Sequence, residues 1–141
     1  MTTDTPATAD RLPVLGLAMI HTLVLQLLLG LANTFWLSVP DSGSGWQDNS
    51  PAWLLGLHML LGTALLVLAV WIGVSASRAG SAAWQRASMM GVIGIVVAFA
   101  GGVWFMGDVS NDLASFVMAI GWAIALVGYA TGLAKSARAA A

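Results

Sequence analysis

The chain has 141 residues, of which 59% are hydrophobic and only 8% charged, with a net charge of −1 and no cysteine. A soluble domain carries roughly 25% charged residues, so most of this chain must have lipid as its solvent. The missing cysteines exclude disulfides, thiolate-bound metals and iron–sulfur clusters, and the near-zero charge without a basic cluster excludes a nucleic-acid partner.

The elements follow in chain order. Residues 1–12 form a short N-terminal tail containing Arg11. Four apolar runs come next, at 13–39, 52–76, 87–106 and 113–134, and residues 135–141 form a C-terminal tail. Each run approaches or exceeds the ~20 residues that a membrane-spanning helix needs, and none has a Lys, Arg, Asp or Glu in its interior. The first run is too long to be the apolar part of a cleaved leader and is expected to be retained. Pro13 opens it and Pro40 closes it, while Pro51 opens the second run. Ser110, Asn111 and Asp112 offer cap residues for the fourth. The expected fold is all-α, an integral membrane four-helix bundle that can be divided into two pseudo-repeated hairpins. The repeat rests on Leu31–Trp36 resembling Phe99–Trp104, and on Met59, Gly62 and Ala64 matching Met118, Gly121 and Ala123.

Charge sets the orientation. Arg11, Arg78, Arg86, Lys135 and Arg138 all fall on one side of four spans, and Asp41, Asp48, Asp108 and Asp112 on the other. Positive-inside bias then predicts a multi-pass plasma (inner) membrane protein with both termini cytoplasmic. Trp36, Trp46, Trp53 and Trp104 fall near the outer boundary, and Trp71 and Trp84 near the inner one, as an aromatic belt requires.

Small residues recur at helical spacing in the third run (Gly91, Gly94, Ala98, Gly101) and in the fourth (Gly121, Ala125, Gly128, Gly132), which predicts close helix packing. Thr22, Gln26, Gly30 and Asn33 share one face of the first helix, which is expected to point into the bundle.

The two histidines cannot share one iron. At a helical rise of ~1.5 Å, His58 is about 9 Å below the outer end of its helix and His21 about 28 Å below that of its own. A layer about 10 Å deep brings His58 level with Met118 and Asn33, beside Gly101 and Gly102. His58 and Met118 around a glycine-lined gap predict a haem (haem b) with Asn33 alongside, or a copper(I) ion with Met59, Met106 and Met118. The alternative is that His58 only hydrogen-bonds Asn33 or Ser115. Trp122 and Tyr129 share a face with Met118 and Ser115, as packing aromatics do. No catalytic residue is identified, because no carboxylate or nucleophile–base pair lies inside the hydrocarbon.

Three stretches carry a resemblance: Gln26–Gly30, His58–Gly62 and Ser115–Gly121. They resemble small four-helix membrane proteins of high-GC Gram-positive bacteria and are weakly similar to one half of the haem A synthases. That resemblance implies a four-helix fold and haem binding through His58, although Val117 or Met118 stands where a second haem histidine falls. The partners expected are the lipid bilayer and either a larger membrane complex, respiratory in type, which the chain would serve as an accessory subunit, or further copies of itself.

Overall fold

A computed structural model describes residues 11–36, 52–107 and 112–140. Four helices account for nearly all of them: α1 (Leu12–Trp36), α2 (Ala52–Arg78), α3 (Ala82–Gly107) and α4 (Asp112–Ala140). Each is long and apolar enough to cross a membrane. They form an up-down-up-down bundle in which α1–α2, α2–α3, α3–α4 and α4–α1 are neighbours. The chain is thus a small integral membrane protein.

Burial confirms which solvent the helices require. Only 17% to 28% of each span is covered by the rest of the chain, and Phe35, Leu60, Val67 and Phe116 are all largely exposed. In water such a surface would aggregate; in a bilayer it is the lipid contact.

Two boundaries differ from the sequence reading. Helix α3 starts at Ala82 rather than 87, and α4 runs on through Lys135 and Arg138 to Ala140, so the expected C-terminal tail is helical up to that residue. An apolar run marks the part of a helix that sits in hydrocarbon. The helix itself continues into the polar boundary wherever Ala, Lys, Arg and Gln sustain it. Pro13 occupies the first turn of α1, as expected. Pro40, Pro51, Trp46 and Ser110–Asn111 lie outside the described residues.

Arg78 ends α2 in a tight reversal. Ser81 donates its backbone N–H to Ala76 O at 3.3 Å and Gly80 donates to Ser77 O at 3.2 Å, with Gly80 at φ 64°. This pair of hydrogen bonds satisfies carbonyls in the last turn of α2 and needs a left-handed residue, hence glycine. Ser81 then accepts from Gln85 N and, through its hydroxyl, from Trp84 N to start α3.

Helices α3 and α4 meet most closely. A β-carbon built on Gly94 would lie 2.5 Å from both Gly121 O and Ala125 N, and one built on Gly121 would strike Ala98 N. A β-carbon on Gly101 would lie 3.0 Å from Ala114 O and one on Gly128 2.9 Å from Ala87 O, while the Tyr129 ring fills the place of one on Gly91. Both small-residue stripes therefore face each other. Close backbone approach yields many dispersion contacts, which drive helix association where lipid removes the hydrophobic force.

The well-packed core lies in the half of the bundle nearer the arginines. It includes Met19 and Leu23 of α1, Leu65, Ala69 and Ile72 of α2, Trp84 and Ile95 of α3, and Tyr129 of α4. Trp84 is a correction to the belt reading. Its indole is 3% exposed, packs over Gly16 and Gly132, and donates Nε1–H to Ser136 Oγ at 2.8 Å. Two opposing glycines leave room for the ring, so it turns inward. Trp53, Trp71 and Trp104 stay on the surface, as a belt requires.

Candidate functional site

The polar groups of the other half concentrate where α1 crosses α2. Gln26 Nε2 lies 3.1 Å from His58 O and 3.1 Å from His58 Nε2. A backbone carbonyl only accepts, so the Gln26 atom beside it is the amide nitrogen, and its second hydrogen is directed at His58 Nε2. That nitrogen then accepts, which leaves the ring proton on Nδ1.

Glycines make the contact fit. A β-carbon on Gly62 would lie 3.2 Å from Gln26 Nε2, and one on Gly30 would lie 3.2 Å from His58 Cε1. Each helix thus carries a notch for the other's polar side chain. Three polar atoms here are buried without a hydrogen-bond partner in the described chain: Gln26 Oε1, His58 Nδ1 and Asn33 Oδ1. Asn33 spends its amide nitrogen on its own helix, donating to Leu29 O at 2.8 Å. Thr22 does the same with Ala18 O.

Met118 belongs to the other hairpin. Its sulfur would be 3.5 Å from a β-carbon on Gly102, and its Cγ 2.9 Å from one on Gly101. The glycine-lined gap expected from the sequence therefore holds the Met118 side chain. His58 and Met118 do share a level. Trp122 donates Nε1–H to Leu23 O at 2.8 Å; four residues further toward the acidic end are Met118 on α4 and Leu27 on α1, and Leu27 follows Gln26. Yet His58 sits in the α1–α2 seam and Met118 in the α3–α4 seam.

For a haem, the shared level suits axial ligands from His58 and Met118, but iron at His58 Nε2 would have to displace the Gln26 amide. For copper(I), Met59 and Met106 are 46% and 45% exposed while Met118 packs inside, so these thioethers point different ways. Among the described residues no three His, Asp or Glu side chains converge. Ser115 is exposed and does not reach His58.

Sequence reasoning placed Gln26 on the inward face but did not pair it with His58. The available signal was the two glycines: Gly30 is one turn beyond Gln26, and Gly62 one turn beyond His58, so the two pairs interlock when antiparallel.

His21 stands apart. It lies on the exposed side of α1, about 14 Å from the helix start, with Nδ1 2.9 Å from Leu17 O. Because the carbonyl accepts, Nδ1 carries the ring proton and Nε2 remains an outward acceptor. Compared with known protein families, with characterised proteins and with solved structures, the chain matches none.

Proposed function

We propose that the chain is a non-catalytic accessory subunit of a larger assembly in the plasma membrane, with its basic end in the cytoplasm and a partner helix covering the outer face of α1. The observation that carries this reading is His21. Ionisable side chains within the hydrocarbon almost always face a protein interior or a water-filled space. A ring acceptor on the lipid side of α1, flanked by Leu17, Val24, Leu25 and Leu28, needs a hydrogen-bond donor that no described residue supplies. A partner helix presenting a hydroxyl, amide or indole donor at that depth satisfies it.

The test uses a photo-crosslinking residue at Leu17 or Leu28, with Val103 on the exposed face of α3 as the control. One defined adduct from the α1 positions, weakened by His21→Leu and absent from Val103, is expected. Equal labelling from both faces, or a lone monomer in mild detergent with no adduct, overturns the reading.

Haem binding through His58 is the second reading, favoured by the common level of His58 and Met118. Protein from haem-replete cells would then have a Soret band that vanishes in His58→Ala and persists in His21→Ala. A colourless preparation overturns it.

A further inference from the structure

Along the basic half of α2, Val67, Val70, Trp71, Val74, Ser75 and Arg78 line a groove of about 240 Å³ on the outside of the bundle. Their three- and four-residue spacings put them on one helix face. Val67, Val70 and Trp71 are 66%, 50% and 64% exposed, so none of the four described helices covers the groove.

Its lining changes in a definite order. Valines come first, deepest in the span; then the indole, then a hydroxyl, and finally a guanidinium in the last turn of the helix. From Val67 to Arg78 the helix rises about 16 Å, close to half of a ~30 Å hydrocarbon core. A phospholipid has the same order over the same length: acyl chain, ester carbonyls, phosphate.

We propose that this groove binds one acidic phospholipid of the leaflet at the basic end. The acyl chain lies over Val67, Val70 and Val74 against the face of Trp71. Trp71 Nε1–H donates toward the ester carbonyls, and Arg78 pairs its planar fork with the phosphate. Arg78 makes no ion pair with any described residue. Among the described residues the only carboxylate is Asp112, at the opposite end. Against the described residues the positive charge of Arg78 is uncompensated, which favours a net-negative headgroup over one with its own ammonium.

Native mass spectrometry of the whole protein in mild detergent tests this, with dioleoyl-phosphatidylglycerol, dioleoyl-phosphatidylcholine and inorganic phosphate as probes. One retained phosphatidylglycerol, favoured over phosphatidylcholine by about fivefold, is expected from one basic side chain at a membrane surface. Arg78→Gln should bring the ratio near one, while Arg86→Gln, on exposed α3 surface, should leave it unchanged. Val70→Trp, which fills the groove and keeps Arg78, should remove the retained lipid. Equal retention of both lipids, an unchanged ratio in Arg78→Gln, retention despite Val70→Trp, or equal capture of inorganic phosphate each overturns the proposal.

Discussion

Where α3 meets α4 stands Gly94, against Gly121; at the matched place where α1 meets α2 stands Gln26, against Gly62. The internal repeat that pairs Leu31–Trp36 with Phe99–Trp104 also pairs Gln26 with Gly94, and the one that pairs Met59 with Met118 pairs His58 with Val117. One contact position has thus been filled in two ways. In the second hairpin the residue is reduced to nothing, and backbone meets backbone. In the first it is a long amide that reaches across to a histidine and leaves polar atoms of both side chains without partners. The same topology tolerates a seam built on close backbone approach, with the Ser88 and Tyr129 hydroxyls buried beside it, and a seam built on hydrogen bonds between two long polar side chains.

Substitutions that separate these two seams rank by expected size. Gly94→Leu and Gly121→Leu should do the most damage, at least about 3 kcal/mol, the upper end of overpacking costs, because what they meet is backbone. Thermal or SDS-driven unfolding in detergent micelles reads this directly. Gly62→Ala should cost only about 1 kcal/mol, since the end of the Gln26 side chain can swing aside; equal damage at Gly62 and Gly94 would erase the distinction between the seams.

The clamp itself comes next. In a double-mutant cycle of Gln26→Leu with His58→Phe, a coupling of roughly 0.6–1.7 kcal/mol is expected, from the average to the largest value found for interhelical hydrogen bonds in membranes. A coupling of zero would mean that the two side chains merely touch.

Grafting sharpens the comparison further. Gln26→Gly combined with His58→Val installs the matched residues Gly94 and Val117, and α1 and α2 should draw together by on the order of 1 Å, within the usual ~8–10 Å range of helix separations. Spin labels at Leu28 and Leu60 would report the change, and an unaltered distance would show that side-chain bulk does not set this seam. The smallest effect is expected from Trp122→Phe, which removes only the N–H directed at Leu23 O and should cost about 0.6 kcal/mol.

Much of this architecture was legible in the sequence because lipid imposes simple rules. The number of spans follows from apolar length, and the α3–α4 seam from Gly91, Gly94, Gly121 and Gly128, whose spacing permits one geometry. The inward face of Thr22, Gln26, Gly30 and Asn33 was equally plain. The pairing of particular polar groups was not. Depth arithmetic set His58 and Met118 at one level, but height along a helix says nothing about rotation around it, and rotation assigns them to different seams. For the same reason Trp84 could be placed near the basic boundary but not on the inside of it. Helix ends were the least legible, because hydropathy stops at the hydrocarbon edge and the hydrogen-bond ladder does not.

Trp84 also dictates when the bundle can close. Its ring rests between Gly16 of the first helix and Gly132 of the last, and its N–H is satisfied only by Ser136 near the far end of the chain. During synthesis the first three helices can enter the bilayer and pair, but until α4 has been delivered this indole has neither its lower wall nor its acceptor. Closure of the basic end therefore waits on α4, which supplies both through Gly132 and Ser136.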